Sequence, residues 1–447
     1  MPTRSLSILL LVLLSLSSQA ADPVSFRKDI APVLQDKCFA CHGPKKAEGG
    51  YRVDSFERAS KAGDSGIVAL VAGKLEDSEA FRRISSTDES ERMPLEADPL
   101  PAETIALFKR WLEEGAKFDG SSPTAELITI IPPPTHPEPP ASYTFPMPVT
   151  ALAFTSDGQQ LIVGGYHELT VWNPADGKLI KRIKNVGQRS YAIVFSPDNK
   201  LLAIGCGAPG RLGETRLFDP ATGELKNVLG STGDVVLDVA FNPQGDRLAV
   251  GAADGIVRVF EVATGKEQLT INSHSDWVNA VAWNADGSKL VSGSRDKTAK
   301  VFDAKTAELL VTYSGHGQGV KGVAFHPEGN EVYSSGGDNK IHRWQIAEAK
   351  KTAEVAFGGE VYKLIPNGEF LFAASADKSV RQFEAKTHKQ LRQFAGHGDW
   401  ALSLSYNPAT KRVAAGGFDG SVRVWNAEDA NLVTNFVAAP GYQPPSK

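Results

Sequence analysis

From about Ser142 onward the chain runs in short alternations of apolar and polar residues, such as Val278-Asn279-Ala280-Val281-Ala282-Trp283. Turns punctuate them at Asp157-Gly158, Asp286-Gly287 and Glu328-Gly329. Period-two alternation between such turns predicts antiparallel β-strands. The pattern repeats. An aromatic closes each unit at Trp172, Phe218, Phe260, Phe302, Trp344, Phe383 and Trp425, at intervals of about 42 residues. Seven copies predict an all-β, seven-bladed propeller over 142–438, each blade a four-stranded sheet beside a central channel, with 439–447 as a C-terminal tail. Either Tyr143-Thr144-Phe145 or Leu432-Val433-Thr434-Asn435-Phe436 would supply the last outer strand.

The first part of the chain has a different period. Phe26, Ile30, Val33 and Leu34 recur at helical spacing. Pro32 fits a helix that starts at Asp29, where the first N–H groups need no partner. A second helix opens at Pro101, carries Ile105, Leu107, Phe108, Trp111 and Leu112 on one face, and closes at Gly115. A small all-α domain is therefore expected over 22–120. The segment 121–141, with Pro132-Pro133-Pro134 and Pro137-Glu138-Pro139-Pro140, is read as a linker. It is either a semi-rigid extended spacer of ~3.1 Å per residue or an ordered strap lying across the next domain.

Ahead of the helical domain, Arg4, the apolar run Leu6 to Leu16 and the small residues before Ala20 and Ala21 have the form of a secretory signal peptide over 1–21. The rival reading is an uncleaved anchor, but the run falls short of the ~20 apolar residues that cross a bilayer. Cleavage would leave no membrane span, and the chain is expected in the periplasm or otherwise exported from a bacterium. With 48 Lys and Arg against 52 Asp and Glu, net charge −4 and no basic block, nucleic acid is not an expected partner. Three cysteines do not make a disulfide scaffold. Cys206, in an apolar run, is expected to be a buried, inert thiol.

The other two cysteines stand in Cys38-Phe39-Ala40-Cys41-His42. C-x-x-C-H is the attachment string for c-type haem: two thiols add to the vinyl groups of one porphyrin, and the adjacent imidazole ligates the iron. A disulfide is the bland alternative. A zinc site would need two more soft ligands nearby, and a thioredoxin-like centre would follow a strand. For the opposite axial position Met1 leaves with the signal and Met147 lies past the prolines. Met93 stands in a polar loop, Asp88-Glu89-Ser90-Glu91-Arg92, some fifty residues after His42; its bland role is core filler. His136 lies in the linker. One covalent haem c, held by Cys38 and Cys41 with His42 and Met93 axial, is the expected cofactor, and the small domain would be marginal without it.

This stretch resembles class I cytochrome c, and most of all the planctomycete-type cytochrome c domain. The resemblance rests on Cys38 to Pro44 followed by Lys45-Lys46-Ala47-Glu48-Gly49-Gly50-Tyr51-Arg52-Val53-Asp54, on Arg92-Met93-Pro94, and on Trp111-Leu112-Glu113-Glu114-Gly115-Ala116. It implies that Cys38 and Cys41 carry the haem and that His42 and Met93 are axial. Leu95 departs from that family, which often has a second proline there. The later repeats resemble WD40 repeats. Asp254, Asp296, Asp338, Asp377 and Asp419 each lie six residues before the closing aromatic, and Gly315-His316 and Gly396-His397, with Ser273-His274 as a weaker copy, match the opening Gly-His. The family implies that these Asp and His side chains brace the blades. The first two copies depart, with His167-Glu168 and Glu214 in place of the aspartate turn. His326 falls in a turn, and His342 and His388 are expected to face solvent.

Two functions from different classes follow. One is an exported electron carrier, exchanging single electrons with a redox partner protein while the propeller docks a protein. The other is a redox enzyme whose propeller binds a substrate and whose haem accepts its electrons. The carrier is preferred, because nothing in the propeller sequence marks a second cofactor, a nucleophile or a clustered metal site. Trp277 and Trp400, just after His274 and His397, are equally candidates for partner contact and for covering the seam between blades.

Overall fold

A computed structural model of the protein describes residues 22–443 except 45, 96, 121, 133 and 134, together with all side chains in that range but those of 128 and 129. The expected signal peptide lies outside the described residues, as do the last four residues of the tail. The chain forms two compact units that divide between 134 and 135. No helix among the described residues is long and apolar enough to cross a membrane.

In the first unit one helical run extends from Phe26 to His42. It starts three residues earlier than expected, because Ser25 caps it: the Ser25 hydroxyl accepts the Lys28 N–H at 3.0 Å. Pro32 therefore sits inside the run, where it has no N–H to give. The helix answers with wide turns on either side, in which the Ala31 N–H reaches the Phe26 carbonyl and the Phe39 N–H reaches that of Leu34. The last helix, Ala102–Glu113, matches its expected limits. Gly115 stops it at φ +97°, with the Ala116 N–H on the Trp111 carbonyl at 2.9 Å. Two short helices, Phe56–Ala59 and Glu79–Ile84, were not expected, since one turn is too short to show a period. Phe26, Ile30, Val53, Trp111 and Leu112 form the core, with the Phe56 ring 4.9 Å from Phe26 and 4.8 Å from Phe118.

The helical unit does not end at Gly120. Residues Leu127–Ile130 make one more turn, Leu127 and Ile130 are buried in the same core, and the Leu127 N–H donates to the Asp54 carbonyl at 3.0 Å. A single turn carries no readable period, but Leu127 and Ile130 must still be buried somewhere, and this core takes them. The rest of the presumed spacer is a strap from 135 on. The His136 N–H donates to Asn185 Oδ1 at 2.9 Å and its Nε2 lies 2.7 Å from Glu214 Oε2. Arg182 donates to the carbonyls of Pro140 and Ala141 at 2.6 and 3.0 Å. A proline-rich segment cannot pair as a strand, yet its carbonyls remain free acceptors. The buried Glu214 and the Arg182 guanidinium are the partners that fix it.

The second unit is all-β. One seven-stranded sheet is followed by five four-stranded sheets, each antiparallel and each built from consecutive strands. The large sheet is two repeats joined: the strand Leu179–Phe195 pairs first with Tyr166–Trp172 and then with Leu202–Ala208, with a register shift between Ser190 and Ala192. The last outer strand is Leu432–Val437, paired with Ser421–Asn426, which settles the choice left by the sequence. The first and last sheets meet: the Val149 N–H donates to the Gly417 carbonyl at 3.0 Å, the Ser403 hydroxyl to the Val149 carbonyl at 2.7 Å, and the Phe154 N–H to Ser405 Oγ at 3.1 Å.

Two repeats show the same polar brace. His274 bridges Asp296 and Ser292, at 2.8 and 2.7 Å; His316 bridges Asp338 and Ser334, at 3.0 and 2.8 Å. In the last repeat the brace is incomplete. Ala415, which pairs with Leu404 as Ser334 pairs with Val323, takes the serine's place, and the buried Nε2 of His397 has no partner among the described residues. Ala415→Ser should supply one, with a gain of about 1 kcal/mol that a thermal or urea melt of the full chain would read as a higher midpoint.

His342 and His388 do not face solvent as expected. His342 is 1% exposed, takes a hydrogen bond between Nδ1 and the Tyr313 hydroxyl at 2.8 Å, and stacks on His316 at 4.1 Å. His388 packs 5.3 Å from Tyr333 with both ring nitrogens buried. His342 lies in the strand Lys340–Gln345, and in a sheet covered on both faces alternation no longer separates core from water.

Candidate functional site

A cavity of about 390 Å³ in the first unit is mostly apolar. Leu34, Val53, Leu70, Ile84, Leu100 and Phe108 supply much of its wall, and Cys38, His42 and Met93 line it together. The sequence distance between His42 and Met93 is thus closed by the fold. Each is held by its own backbone. His42 ends the first helical run, its carbonyl accepts the Val53 N–H at 2.8 Å, and the Tyr51 ring stands 5.3 Å from its imidazole. Tyr51 is fixed in turn by its hydroxyl on the Ala59 carbonyl at 2.9 Å. Met93 follows the short helix Glu79–Ile84 in the chain, and its N–H donates to the Arg83 carbonyl at 3.1 Å.

The chemistry of this wall suits a large apolar ring bearing a metal. The Nδ1 of His42 is buried with no hydrogen-bond partner among the described residues, and burying a polar atom without a partner is costly. Burial pushes the Cys38 thiol up to about 11; it is a protonated, inward-facing sulfur rather than an activated nucleophile. Cys41 is half-buried and is not among the residues that line the cavity. Both cysteines are free thiols, so the disulfide alternative does not describe this state. These residues fit a haem: Cys38 and Cys41 would anchor it, and His42 and Met93 would face its iron. Glu48, Asp64, Ser65, Glu79 and Arg83 add polar groups to the lining. Glu48 lies in the stretch that carries the family resemblance, but no motif whose chemistry needs that residue type marks Asp64, Ser65, Glu79 or Arg83.

The second unit offers two other clusters. His316, Asp338 and His342 bring their ligating atoms within 4.8 Å of one another. Metal binding through both imidazoles is nonetheless disfavoured by geometry. The rings lie 12° from parallel, so their lone pairs point within two stacked planes and do not converge. The cluster is part of the brace. Cys206 is buried as expected, its thiol pushed up to about 12 by desolvation. The other cluster is aromatic. Trp400 and Phe418 are 44% and 48% exposed with rings 5.5 Å apart, and Tyr362 stands 6.3 Å from Trp400. Trp277 is more constrained, because the Arg295 guanidinium lies 4.1 Å over its ring. Of the two tryptophans singled out from the sequence, Trp400 is the one with open apolar neighbours.

A helical unit built around such a cavity, followed by sheets braced by His–Asp pairs, defines a two-part chain: a cytochrome-type domain and a β-repeat domain. Comparison with known families agrees. The planctomycete cytochrome C model matches residues 38–96, and the WD domain, G-beta repeat model matches 223–261, 265–303, 307–345 and 388–426. The chain therefore carries a planctomycete-type cytochrome c domain and WD40 repeats. The unmatched copies are the first two, which have glutamates in the turn, and the one closing at Phe383. In that copy Phe357 stands where the histidine would, four residues before the strand Val361–Asn367, and the Gly358 N–H donates to Asp377 Oδ2 at 3.2 Å, as that of Gly317 does to Asp338. The chain is also similar to the U3 snoRNP-associated protein-like EMB2271 of Arabidopsis thaliana, 23% identical over 22% of this chain and 23% of that protein. The Intraflagellar transport protein 122 homolog of Danio rerio is 31% identical over 22% of this chain and 8% of its own length. WD repeat and HMG-box DNA-binding protein 1 of Mus musculus is 33% identical over 15% of this chain and 6% of its own. The chain thus spans under a quarter of each of these relatives.

Proposed function

We propose that the protein is an exported c-type cytochrome that carries single electrons, with its repeats closed into a seven-bladed propeller that docks a partner protein. The observation that carries the redox half is the meeting of Cys38, His42 and Met93 on one apolar wall. When bound, haem supplies reversible one-electron exchange. The chain's own part is to anchor, ligate and shield: Cys38 and Cys41 hold the ring covalently, the Val53 and Tyr51 contacts set the His42 imidazole, and the apolar wall keeps water from the centre. Absorption spectroscopy tests this. The reduced, exported protein should give a c-type spectrum that survives acid-acetone extraction, and loss of colour on extraction would refute covalent attachment.

Support for a closed ring comes from the polar bonds between the first and last sheets and from the ion pair of Lys363 with Asp238 at 2.9 Å, which links strands three repeats apart. Such a ring leaves its loop face open to partners, and the cluster of Tyr362, Trp400 and Phe418 is the docking surface we assign. Trp400→Ala should weaken capture of a redox partner from the native exported fraction by roughly tenfold or more, in the range of interface hot spots. Spectrum and melting point should stay unchanged. Capture that merely tracks the folded fraction would make Trp400 a bracing residue instead. Turnover of a small substrate with no partner protein present would favour the enzyme reading.

A further inference from the structure

We infer that Arg83 is the positioning residue for the carboxylate side chains of the haem, and through them raises its reduction potential; the inference rests on the haem reading above. Haem brings two carboxylates into any pocket that holds it, and a largely apolar wall must offer them a polar edge. The polar lining here includes three carboxylates, Glu48, Asp64 and Glu79, and among the described lining residues one cation, Arg83. The carboxylates repel the incoming groups. Arg83 has donors to spare: its Nε donates to Glu79 Oε1 at 2.7 Å, while its terminal nitrogens make no hydrogen bond among the described residues. A guanidinium with free terminal donors matches a carboxylate in fork geometry. Its backbone is fixed to the same loop as the proposed axial ligand, since its carbonyl accepts the Met93 N–H. Arg82, next in the chain, is spent elsewhere. It bonds Glu79 at 2.9 Å and Glu91 at 2.7 Å and does not line the cavity.

The ferric centre carries one more positive charge than the ferrous, so a nearby cation disfavours the ferric state. Removing it should lower the potential. The test compares Arg83→Gln, Arg83→Lys and Arg82→Gln as exported full-length proteins, by redox titration and by resonance Raman of the haem carboxylate bending mode. Arg83→Gln should lower the reduction equilibrium constant several-fold and move the carboxylate band. Arg83→Lys should restore most of the potential but not the band, because a point charge cannot reproduce the fork. Arg82→Gln should change neither. If Arg83→Gln does not accumulate, an unmoved carboxylate band in Arg83→Lys overturns the proposal by itself. Equal shifts in the Arg82 and Arg83 variants, or an unchanged Arg83→Gln, also overturn it. Failure of the haem reading looks different: the wild-type protein would then carry no covalent haem at all.

Discussion

Met93→Ala is expected to strip the weak long-wavelength band that reports an iron–thioether bond from the oxidised protein, and to lower its midpoint potential on the order of a hundred millivolts or more. Axial ligands move haem potentials across ~0.8 V, and a thioether favours the reduced iron. The loss should be local. Met93 is half-buried at the cavity wall, not in the centre of the core, and its backbone anchor on the Arg83 carbonyl does not depend on its side chain. The c-type spectrum should therefore survive in the reduced state, because Cys38, Cys41 and His42 are untouched. Persistence of the long-wavelength band in the variant would remove Met93 from the axial position. Collapse of the whole spectrum would mean instead that Met93 holds the fold.

What could be read in advance follows from what the physics requires of particular residue types. Thiols three positions apart beside a histidine have few other uses, so Cys38, Cys41 and His42 stand out in any context. The closing aromatics and the aspartates six residues before them stand out because they recur. Arg83 does neither. It is one arginine among many, and only the cavity shows that it is the described cation on that wall. The strap was ambiguous for a related reason: prolines fix an extended backbone but do not say whether their carbonyls meet water or Arg182. The burial of His342 is not legible in the sequence because it depends on neighbouring sheets that cover both faces of its strand. Ala415 is legible once the repeats are compared. Once the repeats are set in register, Ser292, Ser334 and Ala415 occupy one position, and the alanine announces an unpartnered His397.

The repeat domain should lose stability as the pH falls from about 6.5 toward 4, well before its carboxylates are protonated. Burial holds His342 and His397 down to about 4 from the ordinary 6.5, with His316 and Lys351 adding to the effect at His342 and Arg423 at His397. Asp338 and Glu354 oppose it at the first site and Asp419 at the second. A histidine held low binds its proton in the unfolded chain first. Stability is complete above the unfolded value and declines through the interval down to the folded one. Both rings are nearly inaccessible, at 1% and 6% exposed. At ~1.36 kcal/mol per unit, each therefore removes on the order of 3 kcal/mol across that window. His388, also held near 4 by burial, is only half-buried and adds less. The carboxylates act later. Lys340 and Lys351 hold Glu354 at about 2, and Thr298 and His274 hold Asp296 there against its burial, so their stabilisation is lost only below about 4. Urea melts at a series of pH values, followed by tryptophan fluorescence, separate the two windows. His342→Gln removes one titrating ring and should flatten the upper window by about one proton's slope while leaving the lower one unchanged. Identical slopes above pH 4 in wild type and variant would show that His342 is already free to protonate in the folded chain.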